Sequence, residues 1–381
     1  MSSYSIADHI ANFFLEVGIQ RAFCVGGGAI LPLHKACGQR LRITNADHEA
    51  SAVFMADGWA RCSHGPSAVL VTSGPGALNA VTPVACALSD SIPLVLVSGQ
   101  PATTDLGRNA FQEASRYGMD VIQIFSEVTK LSVELTAKDD VEAVMRLAIT
   151  TALTPPRGPV HISLPIDVAG AEFHLATSER TKSPGADPEG KGEDKEDEIH
   201  EPHLTEALRT LQGSQRTAFL LGAGIKAAES EKITTALVEL TGGIGFVTPK
   251  GIGSLRSDHP RYGGVFGFPG NEESIRRLLE EKFDTLVIIG TKLGEWSTHF
   301  WDERLWKGRR TIQLDVVKRE IRGLFSPDIW IPGDIQQSAQ QLAERLKKNS
   351  QEKSQAVCSR NSRIPIPPPP FLNQNSYTQS T

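Results

Sequence analysis

The sequence predicts an α/β protein built from two doubly wound parallel-sheet domains. Three observations carry that reading. Apolar runs of strand length, SAVLVT (67–72), PLVLVS (93–98), PVHISL (159–164) and DTLVIIG (284–290), show none of the alternation of a half-solvated strand. They read as strands covered on both faces. Segments of helical periodicity separate them, the order that gives crossover connections. Between two such series, residues 178–203 (SERTKSPGADPEGKGEDKEDEIHEPH) are charged, carry Pro and Gly, and hold almost no large apolar group.

In chain order, Ser5–Val17 is expected to be a helix with Ile6, Ile10, Phe13, Phe14 and Val17 on one face. Arg21–Val25 is a short strand, Glu49–Cys62 a helix, and Ser67–Thr72 a strand that ends in Ser73-Gly74-Pro75-Gly76. Ala77–Leu88 is a helix, Pro93–Ser98 a strand, Val141–Leu153 a helix, and Pro159–Leu164 the last strand of the first domain, 1–177. Residues 178–203 cannot bury enough surface to offset their ordering entropy and read as a flexible linker. The second domain, 204–347, carries strands at Thr217–Leu221, Phe246–Thr248, Asp284–Gly290 and Thr311–Val316. Its helices are placed at Ala227–Leu240, Ser274–Glu281 and Ile335–Lys347. A tail, 348–381, contains RIPIPPPPF, which favours an extended polyproline conformation.

Composition narrows the function. The 381 residues exceed what one core usually serves. With 40% hydrophobic and 22% charged residues the chain is an ordinary globular one, so wholesale disorder is excluded. A formal charge of −5 gives no electrostatic case for nucleic acid. No apolar run is long enough to span a bilayer, and MSSYSIADHI shows no basic stretch followed by an apolar one, so secretion is not expected. A cytoplasmic protein is expected. Five cysteines with no CxxC pair argue against a disulfide scaffold or a thiolate metal site, and each reads as a small buried apolar residue.

Four features of the first domain fall at strand ends or helix starts, where open α/β sheets bind ligands. They are Gly26-Gly27-Gly28-Ala29, His48-Glu49, Gly74-Pro75-Gly76-Ala77-Leu78-Asn79 and Ala110-Phe111-Gln112-Glu113-Ala114. Singly, each has a plain structural reading. The glycines make a turn, Glu49 favours a helix N-terminus, Pro75 and Asn79 serve a turn, Phe111 is core and Gln112 surface. His34 reads as structural.

Together they form a pattern. ITNADHEASAVFMADGWAR, then AVLVTSGPGALNAVTPVACALSDSIPLVLVSGQ, then NAFQEAS, resembles the pyrimidine-binding domain of thiamine-diphosphate enzymes, and most nearly the acetolactate (acetohydroxyacid) synthase large subunits. The stretches GAGI, TPKGIGSLRSDHP, DTLVIIGTKLGE and TIQLD resemble the central, Rossmann-like domain of the same family. The resemblance implies that Glu49 pairs with N1′ of the cofactor's aminopyrimidine and activates it. It places Gly27, Pro75 and Asn79 beside that ring and Gln112 near the reacting substrate, with no metal ligand in this chain. Two positions depart from the family: Gly26 stands where the synthases usually show proline, and Leu78 replaces a threonine-like residue.

The family's third domain holds the diphosphate through Mg²⁺ with a Gly-Asp-Gly signature, which this sequence does not contain. The implied activity is decarboxylation of a 2-oxo acid with transfer of its acyl unit to a carbonyl acceptor, in a homo- or hetero-oligomer. Thiamine diphosphate is then shared with a partner chain carrying the diphosphate domain, and Mg²⁺ binds only through that partner. A truncated enzyme and a non-catalytic binding or regulatory homologue are the alternatives. Some relatives bind FAD or ADP in the central domain. Gly222-Ala223-Gly224 could face a phosphate and Asp315 a ribose hydroxyl, but both have turn readings and no flavin is assigned.

Overall fold

The computed structural model describes residues 4–63, 65–136, 139–174 and 195–361. The chain divides into two units, Met1–Pro188 and Glu189–Thr381.

The first unit is a six-stranded parallel sheet of order β2-β1-β3-β4-β6-β5. Its strands are β1 (Arg21–Cys24), β2 (Arg42–Asn45), β3 (Ser67–Val71), β4 (Leu94–Gln100), β5 (Ser132–Glu134) and β6 (Val160–Pro165). Its helices are α1 (Ile6–Glu16), α2 (Leu31–Gly38), α3 (Glu49–Ser63), α4 (Pro75–Asn79), α5 (Val81–Asp90), α6 (Val121–Ser126), α7 (Val141–Leu153) and α8 (Ile166–Gly170). Every residue of β3, β4 and β6 is buried, as strands inside a doubly covered sheet should be. One core, with Ile10, Phe14, Leu33, Leu70, Val97 and Met145, lies on one face of the sheet. A second, with Val53, Ala56, Val69, Val84, Leu96 and Phe125, lies on the other. Alternate residues of β3 and β4 supply the two cores, since successive side chains of a strand point to opposite faces.

The expected helix at 77–88 is two helices. Pro83 has no N–H to offer the carbonyl of Asn79, so the chain restarts at Val81 with Pro83 in the first turn. Two cysteines depart from the buried reading: Cys24 and Cys37 are buried, whereas Cys62 and Cys86 are exposed.

The second unit is another six-stranded parallel sheet, of order β12-β11-β10-β7-β8-β9. Its strands are β7 (Thr217–Leu221), β8 (Ile244–Val247), β9 (Tyr262–Val265), β10 (Thr285–Ile289), β11 (Arg310–Leu314) and β12 (Ile329–Ile331). Its helices are α9 (Lys195–Gly213), α10 (Gly224–Ala227), α11 (Glu231–Leu240), α12 (Glu272–Glu280) and α13 (Ile335–Asn361). Both units therefore have the doubly wound α/β form predicted.

Helix α9 begins inside the stretch expected to be a linker. Leu204, Ala207 and Leu211, at helical spacing, are buried in the second core. Glu201 adds a two-point ion pair to Arg345, both contacts at 2.6 Å. The rest of that stretch, 178–194, lies outside the described residues. Helix α13 likewise runs past the expected end at Lys347 to Asn361, through a segment with neither Gly nor Pro. The proline run of the tail lies outside the described residues.

Candidate functional site

All strands of the first sheet run in one direction, so their carboxyl ends share one edge. β1 leads there into Gly26–Ala29, and β2 leads through three residues to Glu49 at the head of α3. β3 leads into Thr72–Asn79. β4 leads into the loop that carries Gln112. The adjacent strands β2, β1, β3 and β4 thus deliver all four sequence features to one end of the sheet.

Glu49 is only 8% exposed. It stands in the first turn of α3, where the backbone N–H of Ala50 donates to His48 Nδ1 at 3.1 Å. Asn79 Nδ2, on the neighbouring turn, donates to Glu49 Oε2 at 2.9 Å. The other oxygen faces Gly76, where a Cβ would stand 3.0 Å from Glu49 Oε1 and 2.6 Å from Thr72 Cγ2. A Cβ at Gly27 would meet the same threonine, 2.4 Å from its Cβ. Gly27, Thr72, Gly76, Glu49 and Asn79 therefore form one contiguous cluster, in which Gly27 and Gly76 pack their backbone against Thr72 where a side chain would not fit. A buried carboxyl with one amide donor and one open oxygen is a group that can hold or pass a proton.

Gln112 joins this cluster through Gly74. Gly74 has φ +55°, and a Cβ there would lie 2.8 Å from the carbonyl oxygen of Gln112. Gln112 itself takes φ +57°, a left-handed backbone that a residue other than glycine keeps only when its surroundings hold it. Pro75 is the first residue of α4, between Gly74 and Gly76, where proline is well tolerated. Phe111, expected in the core, is 86% exposed. Next to it, hydrogen bonds from the Ser115 hydroxyl and the Gly107 N–H hold the carboxyl of Glu113 below the usual carboxylate range.

Two participants carry no motif signal of their own. Thr72 stands between the two glycines, and only its place at the end of β3 could have flagged it. Gln100 ends β4 fully buried, with its side-chain amide on Ala114.

In the second unit the chain order of the strands reverses between β7 and β10, which pair with each other. Gly222-Ala223-Gly224 lies at that switch point, but its glycines answer to backbone packing. A Cβ at Gly222 would stand 2.2 Å from the Gly290 carbonyl oxygen, and one at Gly224 2.7 Å from Gly290 Cα. Asp315 is pushed up by burial; its Oδ1 accepts from the Val317 N–H at 3.2 Å, and Arg319 Nε stands 3.8 Å from Oδ2.

Comparison with known proteins returns one family for both units. Residues 4–120 match the model described as thiamine pyrophosphate enzyme, N-terminal TPP binding domain. Residues 204–342 match that described as thiamine pyrophosphate enzyme, central domain. The chain is 29% identical to the acetolactate synthase isozyme 3 large subunit of Escherichia coli (strain K12), over 92% of this chain and 59% of that protein. It is 28% identical to isozyme 1 of the same organism, over 97% of this chain and 63% of that protein. The chain thus spans less than two thirds of the length of these relatives. A solved structure of a protein from Mycobacterium smegmatis shares the fold, with a TM-score of 0.72 at 20% identity over 90% of this chain and 62% of that one. Among the described residues no helix is long and apolar enough to cross a membrane.

Proposed function

The chain belongs to the thiamine pyrophosphate enzymes, carrying their N-terminal and central domains in a form similar to acetolactate synthase large subunits, and we propose that its first unit is the pyrimidine half of a working thiamine diphosphate site. The observation that carries the reading is the buried Glu49 carboxyl, paired with Asn79 and faced by Gly76, with Gly27 on the other side of Thr72. The donor set fits the group. A flat aminopyrimidine needs backbone it can approach closely, an acceptor for a ring proton and a polar neighbour, and this cluster offers each.

When bound, thiamine diphosphate supplies a carbon nucleophile able to attack the carbonyl of a 2-oxo acid and hold electrons as CO₂ departs. The chain's own residues have narrower tasks. Glu49 holds a proton at its open carboxyl oxygen and exchanges it with the ring. Asn79 fixes the rotation of that carboxyl group through Oε2. Gly27 and Gly76 present backbone to the ring on either side of Thr72. Pro75 fixes the turn between Gly74 and Gly76. Gln112 presents its amide to the reacting substrate from the adjoining loop.

The substrate class in this reading is a small 2-oxo acid, with the acyl unit passed to a carbonyl acceptor. The diphosphate end and its Mg²⁺ are held by a diphosphate-binding domain outside these 381 residues, in a homo- or hetero-oligomer. The share of the relatives' length that the chain spans supports this. No flavin is assigned to the second unit, because packing against Gly290 accounts for the glycines of its turn.

Calorimetry tests the reading. The 381-residue chain alone should bind thiamine diphosphate weakly, with little gain from Mg²⁺. Adding a chain that carries a diphosphate-binding domain should create metal-dependent binding and consumption of pyruvate. Tight, Mg²⁺-dependent binding by the chain alone contradicts the shared site. No binding in either case contradicts the pyrimidine-half assignment.

A further inference from the structure

We propose that Gln100 is a positioning residue, acting through Ala114 to hold Gln112 against the Gly74 turn. The inference rests on the role given to Gln112 above. Gln100 is the last residue of β4, in register with Pro165 of β6. Its side chain is fully buried, and its Nε2 donates to the Ala114 carbonyl at 2.8 Å while its Oε1 accepts the Ala114 N–H at 3.0 Å. A primary amide carries the same donor and acceptor as a peptide group. Here it pairs with both backbone groups of one residue, much as a neighbouring strand would. That fixes both the position and the tilt of the chain at Ala114, itself 1% exposed.

Two residues earlier the backbone must take the left-handed conformation of Gln112 and lay its carbonyl on Gly74. Other ties hold the loop elsewhere. Its start is bound to Asp167 by the Thr103 N–H at 3.0 Å and by the Thr103 hydroxyl. Its middle is closed on itself by the Gly107 N–H donating to Glu113 at 2.7 Å. Gln100 connects the return of the loop to the central sheet. Without the amide the buried Ala114 N–H is left unpaired, which is costly, and its carbonyl keeps only the Val121 N–H at 3.3 Å, so the segment's tie to the sheet is lost.

The test uses the full chain with Gln100→Leu, which removes both hydrogen bonds, and Gln100→Glu, which keeps the acceptor. Hydrogen exchange of residues 107–115 should rise about tenfold or more in the Leu variant and less in the Glu variant, while residues 72–80 change by less than about twofold. Unchanged exchange at 107–115 overturns the proposal. Should the Leu variant fail to fold, the Glu variant decides by the same criterion.

Turnover of pyruvate in the assembled enzyme then separates positioning from bulk stability. Gln100→Leu should lower kcat/KM about tenfold or more, and Gln112→Ala added to it should cost little further, because both act on one group. Losses that multiply overturn the link to Gln112. An assembled wild-type enzyme without turnover defeats the function proposed above; the exchange experiment still decides whether Gln100 sets the segment.

Discussion

The glycine turns that follow β3 and β7 look alike in sequence, SGPG and GAG, and do different work. After β3, the missing Cβ of Gly76 faces side chains, the Thr72 methyl and the Glu49 carboxyl. After β7, the missing Cβ atoms of Gly222 and Gly224 face the backbone of Gly290. Side chains can shift to admit a neighbour, whereas backbone, which Gly74 also meets at Gln112, is held by the fold. The first turn is therefore read as part of a site and the second as a packing joint.

The sharpest way to break this contrast is at the site itself. Glu49→Gln keeps the size of the side chain and removes its acid–base group. Turnover of the assembled enzyme should fall by about 10²- to 10⁴-fold, the usual worth of a positioned acid–base group, with the circular dichroism and melting temperature of the chain nearly unchanged. A loss that tracks unfolding would return Glu49 to a structural role.

Next comes the joint. Gly222→Ala puts a methyl group 2.2 Å from the carbonyl oxygen of Gly290, just beyond β10. Overpacking against backbone should cost about 3 kcal/mol of stability in the second unit, read by chemical denaturation. Gly76→Ala meets groups that can shift and should cost less stability, about 1 kcal/mol, while lowering turnover. Reversal of that order would erase the distinction between the two turns.

A third test concerns the sheet beneath the site. His161 is fully buried between Ser98 Oγ and Ser132 Oγ, each at 2.8 Å, and stacks on Phe125. Burial pushes its pKa down to about 3, so the unfolded chain binds a proton below about pH 6.5 that the folded chain does not. This contribution is complete above pH 6.5 and is lost as pH falls towards 3. At pH 5 the loss should be about 2 kcal/mol, confined to the first unit. Calorimetric unfolding of the wild type and His161→Gln at pH 7 and pH 5 checks it: the variant should lose less on acidification. Equal losses would mean that other groups carry the effect.

The smallest effect is expected at Asn79. Removing its amide with Asn79→Ala leaves Glu49 Oε2 without that donor, but Asn79 is exposed and water can replace it. Turnover should fall about tenfold, a change near 1.4 kcal/mol, with stability unaltered by thermal melting. No change would remove Asn79 from the orienting role.

Legibility in the sequence followed burial. β3, β4, β6, β7 and β10 were predicted because strands covered on both faces must be apolar throughout. β2, exposed or half-buried along its length, and β5, half-buried throughout, carry no such signal and were missed. The short strands β9 and β12 were missed as well. Glu49, Gly27, Pro75, Asn79 and Gln112 were singled out because they lie in contiguous motifs at strand ends. Thr72 and Gln100 escaped, since their importance comes from contacts with residues far along the chain or across a turn. Phe111 was expected inside because it is large and apolar, yet the loop that seats Gln112 presents it to solvent. The start of α9 and the end of α13 were missed because charged, polar segments can extend a helix whose apolar positions lie further along.

The role of Glu49 is read most directly in the exchange of the cofactor's proton. Thiamine diphosphate loaded in the assembled enzyme can be quenched at short times in D₂O and its C2 proton followed by NMR. The account predicts fast exchange in the wild type, and exchange slower by about two orders of magnitude or more in Glu49→Gln with the cofactor still bound. Equal exchange rates in the two proteins would contradict it.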